Sequence, residues 1–281
     1  MSEKRKQQTG TNPLEAKLSA AEASNKRAKG AINSIAKEYV CPIALELPVD
    51  PVTAEDGRVY NRADIQQHID NSKRKKDDGS EEFEYRGLKS PMTKEPMGPN
   101  LFPAIQVRNS IRALIDSGAI DGDEGSAQNW KEVDDWKTKA EGGDPEAMMH
   151  MGELFYNGED GIVKDDAKAY WWFSRGADLD HTPAIGAKGA SLLDGIGTRQ
   201  NRVEGGILTG IAADRGHGPS QFNLGYAFFE GCDGISKNLT MAKYWLQKAI
   251  TREGEWELSE DARKEAKETI EHIKKEEAGR N

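Results

Sequence analysis

The chain has 281 residues, 36% hydrophobic and 31% charged, with a formal net charge of -9 and only two cysteines, Cys41 and Cys232. That length admits two ordinary domains, the acidic balance argues against nucleic-acid binding by the whole chain, and two distant cysteines exclude zinc modules built on four thiolates. No run nears the eighteen apolar residues of a membrane span, and Met1–Lys6 has no apolar stretch behind its charges, so no membrane or secretory role is expected.

Residues 1–36 are rich in Ala, Lys, Ser and Gln without a sustained apolar stripe, and read as a disordered or weakly helical arm. Residues 1–39 carry eight Lys/Arg against four Glu, a short basic stretch on an acidic body.

From residue 37 the composition changes. Cys41-Pro42-Ile43-Ala44-Leu45-Glu46-Leu47-Pro48-Val49 opens a loop, and Asp56-Gly57 marks a hairpin turn. Ile65 and Ile69, four apart, predict a short helix. Ser90-Pro91-Met92-Thr93-Lys94-Glu95-Pro96-Met97 forms a second loop, and Val107, Ile111, Leu114 and Ile115 predict a closing amphipathic helix. The connection at 70–89 is long, passing from Lys73-Arg74-Lys75-Lys76 to Glu81-Glu82, and reads as a solvated insertion.

This order of loop, hairpin, helix, loop and helix resembles the U-box over residues 37–118. The resemblance implies a small α+β domain with the outline of a RING finger and no metal. It implies that Ile43 and Leu45 in the first loop and Pro91 in the second contact a ubiquitin-conjugating enzyme (an E2). Lys94 falls where many U-boxes place a cation bridging that enzyme and ubiquitin. The plain alternatives are core residues at Ile43 and Leu45 and an exposed lysine at Lys94. Two positions depart from the family: His68 replaces a common aromatic residue, and Ala104 replaces an asparagine that braces a loop.

Residues 119–127 are acidic and glycine-rich and read as a linker. Residues 128–140, with Trp130, Val133 and Trp136, read as a capping helix. Between 141 and 250 a repeat is visible: Gly152 and Gly158, Gly189 and Gly195, Gly225 and Gly231 are each six apart. Eleven residues after each second glycine stands Ala169, Gly206 or Ala242, and seven further on Gly176, Ala213 or Ala249. Each unit reads as two helices. The first starts at Pro145, Pro183 or Pro219 behind Asp144, Thr182 or Gly218 as cap. The second glycine ends it. In the second helix Thr209 stands where Trp172 and Trp245 stand in the others. The pattern resembles three Sel1-like repeats, an all-α solenoid related to tetratricopeptide repeats. Residues 251–281, with Ala262, Ala266, Ile270 and Ile273, read as the rear cap and tail.

Together the resemblances imply a U-box ubiquitin ligase. The U-box binds a ubiquitin-charged E2 and promotes transfer to a substrate lysine, and the repeats hold a protein substrate, chaperone or adaptor. Such a ligase forms no covalent intermediate and needs no cofactor or metal; its acceleration comes from proximity and orientation. The alternative is a non-catalytic scaffold with a degenerate U-box, and a homodimer through the U-box is a third option. Cytoplasmic placement is expected, with Lys73–Lys76 as the candidate nuclear signal.

Overall fold

The computed structural model describes residues 37–76, 83–85, 87–120, 125–232, 234–254 and 256–278. The basic arm at 1–36, the middle of the insertion and part of the linker lie outside them. The chain divides into two units, residues 1–131 and 132–281.

In the first unit, β1 (Pro51–Ala54) and β2 (Val59–Asn61) form the hairpin, with Val52 opposite Tyr60. Its turn closes through Gly57 at φ 77°, a left-handed conformation that glycine adopts without steric cost. α1 (Arg62–Asp70) follows without a break and buries Ile65 and Ile69. Within the long connection, β3 (Lys73–Lys75) pairs antiparallel with β4 (Phe83–Tyr85). The insertion thus carries a ribbon of its own, with Lys73, Arg74 and Lys75 exposed as a solvated segment requires. β5 (Leu101–Pro103) pairs with the free edge of β1, Thr53 opposite Phe102, giving the order β2-β1-β5. α2 (Ile105–Asp116) closes the unit and buries Ile111 and Ile115. The core gathers Cys41, Val52, Ala54, Tyr60, Ile65, Ile69 and Leu88, where each fully buried aliphatic side chain contributes about 1.5–3 kcal/mol.

α3 (Gly125–Glu141) opens inside the stretch read as a linker, and Trp130 and Val133 are buried on it. Six helices of equal length then alternate: α4 (Pro145–Asn157), α5 (Asp166–Asp178), α6 (Thr182–Asp194), α7 (Arg202–Asp214), α8 (Gly218–Glu230) and α9 (Leu239–Thr251). α10 (Glu260–Ala278) packs Ala266, Ile270 and Ile273 against Ala242 and Leu246 of α9, covering the last repeat.

The second glycine of each pair ends its helix, as expected. Gly158, Gly195 and Gly231 end α4, α6 and α8 in the left-handed conformation, φ 75°, 73° and 75°. Gly152, Gly189 and Gly225 lie against the second helix of their own repeat. A methyl group there would come within 2.3 Å of Phe173, 2.8 Å of Thr209 and 2.8 Å of Leu246 respectively.

Those contacts correct the register of the middle repeat. Asp165, Asn201 and Asn238 cap α5, α7 and α9, and their N–H groups donate to the equivalent carbonyls of Phe155, Leu192 and Phe228 at 2.7–2.8 Å. The loop before α7 is one residue shorter than its neighbours. Gly205, not Gly206, therefore matches Ala169 and Ala242, and Ala212, not Ala213, matches Gly176 and Ala249. Thr209 stands in the place of Phe173 and Leu246, and Leu208 answers Trp172 and Trp245. The adjacent glycines at 205 and 206 conceal the missing residue. The caps move by one as well. α6 and α8 begin behind His181 and His217, neither bonding the helix backbone through its side chain, with Pro183 and Pro219 in the second helical position. Only Asp144 caps as expected, accepting from Glu146 and Ala147 at 3.0 and 3.1 Å.

Candidate functional site

Two loops of the first unit share one construction. In the first, the Cys41 N–H donates to the Glu46 carbonyl at 2.7 Å and the Leu45 N–H to the Cys41 carbonyl at 2.8 Å. In the second, the Ser90 N–H donates to the Glu95 carbonyl at 2.8 Å and the Lys94 N–H to the Ser90 carbonyl at 3.1 Å. Cys-Pro-x-x-Leu-Glu and Ser-Pro-x-x-Lys-Glu are thus the same hydrogen-bonded loop. The first residue of each turns its side chain inward. Ser90 Oγ accepts the N–H groups of Met92 and Thr93 at 3.1 and 3.0 Å and donates to Asp56 at 2.6 Å. The Cys41 sulfur receives the backbone of Ala44 and Ile43 in the same manner, and its S–H points to Asp64 at 3.4 Å.

Electrostatics explain why these side chains hold loops without reacting. Burial pushes the Cys41 thiol up, against the lowering effect of the backbone N–H groups around it, so it stays protonated. Burial also works against a charged Asp56, yet the hydrogen bonds from Ser90 and Tyr60 prevail and hold its carboxyl below the usual range. Tyr60 donates to Asp56 at 2.7 Å, and burial together with that carboxylate pushes its phenol up. The second loop hangs on a proton-bearing clasp of Ser90, Asp56 and Tyr60.

α1 joins the two loops. Asp64 receives the Cys41 thiol, and one turn later His68 Nε2 lies 2.8 Å from the Lys89 carbonyl beside the second loop. A carbonyl only accepts, so Nε2 carries the proton. Residues one turn apart on a helix are neighbours, and the two loops therefore lie side by side. His68 thus braces a loop. Ala104 is buried and donates its own N–H to the Pro51 carbonyl at 2.9 Å, but supplies no side-chain cap to α2. Arg62 adds an ion pair with Asp50 at 2.7 Å behind the first loop.

On the crests of the loops, Ile43 is 39% and Leu45 76% exposed. Pro91 is half-buried and Lys94 exposed, its ammonium donating to the Pro91 carbonyl at 2.6 Å. The equivalence of the loops adds Met92, the counterpart of Ile43 and also exposed. The repeated Pro-x-x-x-Glu spacing is the sequence signal that would have found it. Exposed Phe102 and Ile105 extend the apolar surface of this unit. Among the described residues no group of three or more His, Cys, Asp and Glu is placed to hold a metal ion, and no helix is long and apolar enough to cross a membrane.

A small sheet with two hydrogen-bonded loops, followed by stacked helix pairs, defines a U-box region joined to a Sel1-like solenoid. Family models agree: the U-box domain matches residues 35–118, and the Sel1 repeat matches 145–181, 189–217 and 218–253. The chain carries a U-box domain and three Sel1 repeats. Among solved structures, a Sel1 repeat protein from Oxalobacter formigenes is 32% identical over 40% of this chain and 85% of its own, with a TM-score of 0.37. A protective antigen of uropathogenic Escherichia coli displaying an SLR fold is 26% identical over 51% of this chain, with a TM-score of 0.39. This chain spans 29% of that antigen's length. No curated protein matches the chain.

Proposed function

We propose that the protein is a ubiquitin ligase whose U-box binds a ubiquitin-charged E2 through Ile43, Leu45 and Pro91. U-box domains suggest ligase activity in general and Sel1 repeats suggest protein binding; the assignment of these residues is the proposal. The observation that carries it is Leu45. An apolar side chain is held 76% exposed on a residue whose backbone sits at φ 61°, a conformation that costs a leucine about 1–2 kcal/mol. Strain of this kind, kept in place by surrounding hydrogen bonds, is a mark of binding sites. Three small apolar anchors are enough to decide the affinity of a shallow contact. In this reading Lys94 supplies the positive charge between the enzyme and ubiquitin. The loops restrain the thioester for attack by a substrate lysine, so the acceleration is one of orientation. The repeats would select the substrate or an adaptor. The test is ubiquitin-chain formation with purified activating enzyme, ATP and a panel of conjugating enzymes. Product is expected from the wild type and none from Ile43→Ala. Absence of product across the panel, or an unimpaired Ile43→Ala chain, overturns the proposal.

A further inference from the structure

The first helices of the three repeats, α4, α6 and α8, carry a continuous track. Three hollows of about 330, 260 and 310 Å³ lie along it. The first and second share Met149 and Glu153 as walls, and the second and third share Ala190 and Asp194.

The charge of the lining is of one sign. Glu146, Glu153, Asp194, Glu257 and Glu265 face the hollows, and neither lysine nor arginine does. In a chain with 39 basic against 48 acidic side chains, such a lining is not the default. Little neutralises it. Glu257 pairs with Arg263 at 3.3 Å and Glu153 lies 3.8 Å from His150. Glu146, Asp194 and Glu265 have no ion-pair partner among the described residues. Partial desolvation holds the half-exposed Glu153 carboxyl above its usual range, with His150 opposing the shift and Glu159 adding to it. His217 adds no positive charge at neutral pH, since burial, aided by His181, holds it down to about 4.

Aromatic rings interleave with these carboxylates. Trp136, Tyr156, Phe222, Tyr226 and Trp256 line the hollows, and such rings attract cations through their faces. The chain's own rim shows it: Lys139, Lys164 and Arg252 rest over Trp136, Tyr156 and Trp256 at 4.8, 5.0 and 5.7 Å. An acidic segment would face the five carboxylates of the lining, and a purely apolar one would strip water from them without pairing them.

We propose that this track docks a lysine- and arginine-bearing extended segment of a partner protein. The inference deepens, and rests on, the reading that the repeats select what the ligase acts on.

Fluorescence anisotropy of a labelled peptide alternating lysine or arginine with tyrosine, titrated with the full chain and no conjugating enzyme, tests it. Binding is expected to weaken with added salt, and roughly tenfold or more in a chain bearing Glu146→Gln, Asp194→Asn and Glu265→Gln. The thermal midpoint of that chain should be unchanged, and Asp214→Asn, on α7 away from the track, should bind like wild type. Equal binding by the triple variant, or equal binding of the same peptide with glutamate for its cations, overturns the proposal. So does binding that emerges only when Lys4, Arg5 and Lys6 are changed to Gln, which would make the chain's own arm the occupant. The readout needs no ubiquitin. A chain that binds the peptide but yields no ubiquitin product keeps this inference and loses the ligase reading.

Discussion

Leu45 and Lys94 hold the same left-handed backbone conformation, φ 61° and 63°, at the same step of two equivalent loops. Neither is a glycine, and each loop is closed by the same pair of backbone hydrogen bonds. The side chain, not the turn, accounts for the choice of residue at each position.

Leu45→Gly separates the two roles. Glycine relieves the left-handed strain, so local stability should rise by up to about 1 kcal/mol after its larger unfolded-state entropy is counted. The exposed anchor is lost, and ubiquitin discharge should fall by tenfold or so, as expected for one hot-spot side chain. Amide exchange at Ile65 and Ile69 reads the first effect and single-turnover discharge of the charged enzyme reads the second. Parallel losses in both would show that Leu45 serves the fold.

Lys94 should act on rate more than on affinity. Arginine brings a planar fork in place of a point charge, so Lys94→Arg is expected to speed thioester discharge and Lys94→Ala to slow it. Enzyme affinity in both variants should stay within about twofold of wild type, because an exposed cation adds little to binding. Discharge to free lysine, followed at saturating and subsaturating U-box concentrations, distinguishes the two.

The glycines of α7 predict opposite signs. Nothing lies within 4 Å of a methyl group built on Gly206 or Gly210, so alanine at either should stabilise the repeats by about 0.5–1 kcal/mol. A methyl group on Gly205 would come within 2.8 Å of the Gly189 carbonyl oxygen, and Gly205→Ala should destabilise by about 1–3 kcal/mol as the helices part. Urea denaturation followed by tryptophan fluorescence, which reports the Trp-bearing repeats, checks all three.

The repeats should weaken in mild acid. His217 is held down to about 4 by burial and by His181, against 6.5 when exposed. The unfolded chain binds the extra proton between those values, so stability present above pH 6.5 is lost as pH falls towards 4. The loss amounts to about 2–3 kcal/mol. His217→Asn, which retains a polar group beside Ser220 (2.7 Å from His217 Nδ1), should flatten that slope in thermal melts from pH 7 to 4.5. An unchanged slope would mean that another group titrates.

Local pattern made the hairpin, α1, α2 and the paired helices legible, because the residues that form each lie within a turn or two of one another. Pairing of β5 with β1 was not, since its partners are some fifty residues apart and three residues carry no period of their own. The ribbon of β3 and β4 was hidden under charges that suit solvent as well as strand. The one-residue shift in the middle repeat escaped because Gly205 and Gly206 fit the small-residue register equally. Ile43, Leu45 and Pro91 enter only through the U-box resemblance, since irregular loops carry no period that would single out a residue. The carboxylate track was not legible, since Glu146, Asp194, Glu257 and Glu265 come from four separate segments and meet only when the repeats stack.

The clasp of Ser90, Asp56 and Tyr60 has a consequence for how this loop can be undone. A loop tied by metal is at the mercy of chelators and of oxidants that attack its thiolates. This one answers to proton activity instead. Because Asp56 is held below its ordinary range, the tie is intact above the usual carboxylate titration and slackens only as strong acid protonates it. The second loop should keep its shape in a cell starved of zinc.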